Sequence, residues 1–171
     1  IIRCVGEPKE RFSEDALRMM RAVRFSAQLG FTIDGQTLEA VHMLADTIGR
    51  ISAERIQTEL LKTLTSAHPD AVRVFYETGL SRHFLPELDA MMQTQQKNPH
   101  HCYSVGEHTL HSLAYVEADK VLRLTMLLHD VAKPQCKTTD EAGIDHFHGH
   151  PAQGARMARM ILRRLKLDNE T

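Results

Sequence analysis

The sequence predicts an all-α protein in two helical parts, the second rich in histidine. Three observations predict it. Apolar residues recur every three to four positions through nearly every segment. Gly30, Gly35, Gly49, Pro69 and Gly79 mark breaks between those segments. Past the first few residues no stretch alternates apolar and polar as a half-buried strand would. The 171 residues are 42% hydrophobic and 25% charged, ordinary for a globular chain with one good core or two small ones.

Residues 1–8 read as an extended piece ending in a Gly6-Glu7-Pro8 turn. Arg11 to Leu29 reads as one helix, with Ser13 as N-cap and Glu14 and Asp15 in its first turn, where the helix dipole favours acids. Leu17, Met20, Val23 and Ala27 form its packing face, and Gly30 closes it. A second helix runs from Thr37 to Ile48, with Leu38, Val41, Ala45 and Ile48 on one side and Gly49 at its end. Ser52 caps a third, whose inner residues are Ile56, Leu60 and Leu64. Pro69 suits the first turn of a helix reaching Thr78 before Gly79, and Leu85–Met92 is a shorter helix. The polar run from Gln93 to Pro99 is the best domain boundary, and eight of the eleven histidines follow it. Beyond it, Val105–Val116 and Leu122–Val131 read as helices, and another starts at Pro151.

Two patterns carry chemistry. On the first long helix Arg18, Arg21 and Arg24 recur every three residues, and Asp15 lies one turn before Arg18 on the same side. Such a stripe is commonly a solvated face with weak ion pairs. The functional reading is a nucleotide platform. Stacked guanidiniums are costly to hold together without an anion over them, and Asp15 with Arg18 offers the acceptors and donors that read a base edge.

The second pattern is His129-Asp130 at the end of a very apolar helix. Burying an imidazole and a carboxylate without partners costs several kcal/mol. A divalent transition metal would supply a partner for both, as would a simple ion pair. His146, His148 and His150 alternate and would share a face in an extended segment, the alternative being a polar loop.

Glu14-Asp15-Ala16-Leu17-Arg18, Arg21-Ala22-Val23-Arg24-Phe25 and Leu29-Gly30-Phe31 resemble the neck helix of class II bacterial tRNA nucleotidyltransferases. That family includes CCA-adding enzymes, and bacterial poly(A) polymerases are close relatives. The likeness continues through Ile51-Ser52-Ala53-Glu54-Arg55-Ile56, Glu59-Leu60 and Leu85-Pro86-Glu87-Leu88. It implies that Asp15 and Arg18 hydrogen-bond the base of incoming CTP or ATP, that Arg21 and Arg24 help hold the nucleotide, and that Arg11 is a secondary candidate. His129-Asp130 followed by Ala132-Lys133-Pro134, with His108 upstream, resembles the HD domain of metal-dependent phosphohydrolases. That resemblance implies His108, His129 and Asp130 as metal ligands, with His150 lining the site or holding a second metal.

The implied division is 1–10 as the tail of a nucleotidyltransferase head, 11–95 as neck and body, and 96–171 as an HD domain truncated at its C-terminus. The head of such enzymes holds magnesium on paired aspartates, which this sequence lacks; the expectation is a fragment without nucleotide transfer of its own. The expected partners are tRNA, CTP and ATP, in the cytoplasm. The alternatives are a free-standing HD phosphohydrolase, which does not need the Arg11–Phe31 motif, and a helical RNA-binding module without catalysis.

Three scattered cysteines (Cys4, Cys102, Cys136) give no disulfide framework or zinc ribbon and fit a reducing compartment. No apolar run approaches the roughly 18 residues that span a bilayer. The net charge of −1 is no global signature of nucleic-acid binding. Locally, no acid lies between Asp145 and Asp168, while Arg156, Arg159, Arg163, Arg164 and Lys166 crowd together. That strip suits an RNA backbone and equally a solvated helix face.

Overall fold

The computed structural model describes residues 1–97 and 103–167. Ten α-helices are described: α1 Pro8–Glu14, α2 Leu17–Leu29, α3 Gly35–Leu44, α4 Ala53–Leu64, α5 Val72–Glu77, α6 Pro86–Gln93, α7 Val105–Leu113, α8 Lys120–Leu128, α9 Lys133–Cys136 and α10 His150–Arg164. Short 3-10 turns at Ala45–Arg50, Pro69–Ala71 and Ser81–His83 join them. Among the described residues the only sheet is a hairpin, β1 Thr138–Thr139 against β2 Asp145–His146, antiparallel with Thr139 opposite Asp145. The all-α reading holds, and the hairpin is the element it did not foresee. Two-residue strands carry no period to detect.

The expected single helix from Arg11 is two. Asp15 is extended (φ −148°, ψ 102°) and ends α1. Its Oδ1 then accepts from the Leu17 N–H at 3.1 Å, so Asp15 rather than Ser13 supplies the polar oxygen at the start of α2. Ser13 lies inside α1, where its hydroxyl donates to the Lys9 carbonyl at 2.7 Å. A side chain that bonds local backbone can serve a cap or a helix interior, and only the break decides which. Gly30 closes α2 in the left-handed conformation (φ 66°). Asp34 caps α3 by accepting from Thr37 N.

The apolar faces read from spacing are buried: Leu17, Met20, Val23 and Ala27 on α2, and Ile56, Leu60 and Leu64 on α4. α2 packs against α4, and α6 against α7. α7 ends at Leu113, three residues short of the expected Val116, and α8 ends at Leu128 rather than Val131. Leu122, expected among the apolar residues of α8, is exposed, while Leu124, Leu127 and Leu128 face inward. One buried apolar cluster runs from Phe12 to Leu165.

The segment before α1 is tied to the body. Ile2 N donates to Thr32 O, Asp34 N donates to Ile2 O, and Cys4 N donates to the Thr37 hydroxyl. Gln95–Lys97 is likewise bonded in: Lys137 Nζ reaches Gln95 O at 2.7 Å, Lys133 Nζ reaches Gln96 Oε1 at 3.0 Å, and Lys97 pairs with Asp145. The rest of that boundary, Asn98 and Pro99, lies outside the described residues, as do His100, His101, Cys102 and Asp168.

Candidate functional site

Two groups of side chains stand out, one where α1 meets α2 and one between α7, α8 and α10. In the first, the kink at Asp15 sends its carboxylate away from Arg18. Asp15 Oδ2 accepts from Arg55 Nη2 at 3.0 Å and lies 4.0 Å from Arg21 Nη1. Burial opposes ionisation of this carboxyl, but the Leu17 N–H and the Arg55 and Arg21 cations outweigh it and hold its pKa below the usual range. Arg18 turns to α1, where its Nη1 donates to Arg11 O at 2.8 Å and to Glu14 Oε2 at 2.5 Å. Arg11 reaches the same Glu14 oxygen at 2.6 Å. Asp15 and Arg18 thus flank the kink with separate partners.

The anion over the arginine stripe belongs to the protein. Glu59 of α4 is buried and accepts from Arg24 Nε at 2.6 Å and Arg21 Nε at 3.4 Å. Arg24 also donates to Gln28 and lies 4.0 Å over the Phe25 ring. It is a well-held structural cation, whereas Arg21 remains half exposed. Glu59 sits in the buried stripe Ile56, Leu60, Thr63, Leu64. An acid at a core position of a helical pattern demands a partner, and that signal was available in the sequence. Beside Asp15 an open cleft of about 460 Å³ is lined by Ser13, Glu14, Thr47, Arg50 and Arg55 among others.

In the second group one ligand atom each of His108, His129 and Asp130 lies within 4.8 Å of the others. Asp130 is 4% exposed, and His129 Nε2 is 3.2 Å from its Oδ2. The other ring nitrogen of His129, Nδ1, is 2.6 Å from the Met126 carbonyl, which can only accept, so Nδ1 carries the hydrogen. A neutral His129 therefore points a lone pair at a carboxylate. Only a proton or a cation between them makes that contact favourable.

His150 repeats the arrangement. Its Nδ1 is held by the Phe147 carbonyl at 2.7 Å and its Nε2 is 3.8 Å from Asp130 Oδ1. Backbone-anchored imidazoles aimed at one carboxylate have the outer hydrogen bonding of metal ligands. Lys133 Nζ already lies 2.8 Å from Asp130 Oδ2. Burial raises the Asp130 pKa, but His129 and Lys133 together bring it down to about 2.

The alternating histidines separate in the fold. His146 and His148 stack, 5.5 Å between centroids and 7° apart in plane, and His146 pairs with Asp140 at 2.8 Å. His150 alone, at the start of α10, reaches Asp130. Gly149, left-handed at φ 78°, makes the turn between them. Next to His129 a cleft of about 290 Å³ runs between α8 and α10. Lys133 and Glu59 are the partners that reading motifs alone did not assign.

This is a helical protein with paired acids and arginines around a helix kink and a histidine–aspartate cluster between α7, α8 and α10. Residues 30–92 match the family described as the probable RNA and SrmB-binding site of polymerase A. The chain belongs to the bacterial tRNA nucleotidyltransferase and poly(A) polymerase family. It is 38% identical over 180 aligned residues to the A-adding tRNA nucleotidyltransferase of Deinococcus radiodurans, covering 98% of this chain and 41% of that protein. It is 33% identical over 163 residues to the multifunctional CCA protein of an Azoarcus species, covering 91% and 39%. Over 68 residues it is 59% identical to the CCA-adding enzyme of Levilactobacillus brevis, covering 40% and 17%. The chain spans less than half the length of these curated relatives. Among the described residues no helix is long and apolar enough to cross a membrane.

Proposed function

We propose that this chain is the base-selecting and tRNA-binding part of a nucleotidyltransferase that adds CMP or AMP to the 3′ end of tRNA. The observation that carries the reading is the kink at Asp15. It leaves the ionised Asp15 carboxylate on one open cleft, beside Arg50 and Arg55, while Arg18 and Arg21 line a second opening at the same helix junction. Asp15 and Arg18 read the base edge by complementary hydrogen bonds, and a wrong base leaves one of them unpaired, at a cost of about 1–3 kcal/mol. Arg21 and Arg11 steady the nucleotide. Arg24, locked on Glu59, acts by positioning α2. Transfer itself, which takes magnesium in this family, falls to residues outside this chain.

The test is incorporation of CMP and AMP into tRNA lacking its 3′ end by the enzyme containing this chain. Asp15→Ala and Arg18→Ala should cut discrimination against UTP and GTP by about tenfold or more, the equivalent of one lost hydrogen-bond pair. Unchanged discrimination in both variants would sink the reading.

The histidine–aspartate cluster favours a second activity, an HD-type metal-dependent phosphohydrolase acting on phosphate esters. The donor set of two imidazoles and one carboxylate fits a divalent transition metal better than magnesium. His108, His129 and Asp130 would hold the ion, with His150 beside it. A bound ion there would supply an acidified water and a polarised phosphoryl oxygen. Hydrolysis of a 2′,3′-cyclic nucleotide, lost in His129→Ala, supports this reading; no activity in the metal-loaded protein removes it.

A further inference from the structure

Several arginines that face other elements are matched by acids, although buried Arg123 is held by the Glu117 and Leu64 carbonyls instead. Arg18 meets Glu14, Arg24 meets Glu59, Arg73 meets Glu107, and Arg164 meets Glu87 at 2.6 Å. The outer face of α10 groups three arginines with no acid among them. Arg156, Arg159 and Arg163 are all exposed. At 3.6 residues per turn they fall within about 60° of one another and span roughly 10 Å of the helix. Arg156 bonds only to the neutral Gln153 side chain, at 2.7 Å, and among the described residues Arg159 and Arg163 form no ion pair. No acid lies between residues 146 and 167. Like charges at three- and four-residue spacing weaken a helix by a few tenths of a kcal/mol each, with no internal anion here to offset them. Exposed Met160 lies beside the stripe, and Lys166 follows the helix end in a left-handed conformation (φ 57°).

We infer that this face of α10 is an RNA-backbone surface, taking the phosphates of a polyribonucleotide on Arg156, Arg159 and Arg163. Guanidiniums suit phosphate because they present fixed forks of donors and stay charged at every physiological pH. The occupant is RNA rather than an acidic protein segment because the body of the same chain, residues 30–92, matches an RNA-binding family. The stripe shares no residue with the Asp15–Arg18 junction and needs no metal. Its neighbouring face on α10, through Ala155 and Ala158, lines the cleft beside His129, so RNA on the stripe passes the mouth of that cleft.

The experiment measures binding of a fluorescently labelled tRNA by anisotropy from 50 to 200 mM KCl. Wild type is compared with Arg156→Gln/Arg159→Gln/Arg163→Gln and with the corresponding triple change to Glu. The Gln set keeps helix propensity and reports even if charge reversal unfolds α10; circular dichroism checks both. Expected are a tenfold or greater loss of affinity at low salt and a fall of about 2–3 in the slope of log K against log salt, the contribution of three phosphate contacts. Unchanged affinity and slope in a folded variant overturn the surface while leaving base selection by Asp15 and Arg18 standing. Absence of tRNA binding by wild type overturns the surface and the tRNA part of the proposed function together. A wild-type preference for a poly-glutamate peptide over tRNA also overturns it, in favour of an acidic protein partner.

Discussion

Arg24 of α2 donates through Nε to Oε2 of Glu59 on α4 at 2.6 Å, and the carboxylate that receives it is 5% exposed. This bond joins the two helices that form the centre of the body, and it supplies the anion that the arginine stripe requires. Removing one partner of a buried pair leaves an uncompensated charge and costs about 3–5 kcal/mol, whereas replacing both with apolar residues is often near neutral. Arg24→Met should therefore lower unfolding free energy by about 3 kcal/mol in urea titration, the low end because Arg21 also reaches Glu59. Adding Glu59→Leu should restore most of it. A single variant as stable as wild type would contradict the assignment.

Two glycines predict opposite outcomes. A Cβ on Gly106 of α7 would lie 2.7 Å from the Met92 backbone, where α6 packs against it. Gly106→Ala should cost about 1–3 kcal/mol, the usual penalty of overpacking. A Cβ on Gly154 of α10 would meet only Ala132 Cβ at 3.8 Å and the His129 carbonyl at 3.9 Å. Gly154→Ala should gain up to about 1 kcal/mol from helix propensity. Thermal midpoints of the two variants moving in the same direction would refute this contrast.

Asp145 gives a pH signature. Its carboxylate accepts from Lys137 Nζ at 2.8 Å, Lys97 N at 2.7 Å and the Thr139 hydroxyl at 2.7 Å. Lys137 first, then the two hydrogen bonds, hold its pKa far below the ordinary carboxylate value. A carboxyl lowered on folding stabilises the native state above its unfolded pKa of about 3.9, and that contribution is lost as pH falls towards the folded value. The stability gap between wild type and Asp145→Asn should be full at pH 6 and shrink as the pH drops below about 4. A gap constant from pH 6 to pH 3 would show that the charge is not what matters.

The metal cluster predicts selective losses. Equilibrium dialysis against manganese or zinc should find one ion per chain, reduced at least tenfold in affinity by His108→Ala, His129→Ala or Asp130→Asn. His146→Ala, whose ring pairs with Asp140, should leave it unchanged. Metal at a hundredfold excess over its dissociation constant should stabilise wild type by about 2.7 kcal/mol. Binding indifferent to all three ligand changes would place the ion elsewhere.

The sequence by itself determined the helical class, the packing faces of α2 and α4 and the close of α2 at Gly30, because helical period and glycine's backbone freedom act over a few residues. It also brought Asp15, Arg18, His129 and Asp130 into view from their local patterns, and His108 and His150 through the resemblance of their segments to the HD family. Only the tertiary structure decided how they are joined. The kink at Asp15 separates it from Arg18, because its carboxylate binds Leu17 N and Arg55, forty residues away. The anion for the arginine stripe is Glu59, thirty-five residues from Arg24. His150 leaves its alternating neighbours for Asp130 because α10 begins on it after the turn at Gly149. These pairings depend on which helices meet, and a charge carries no local mark of the distant partner it will find.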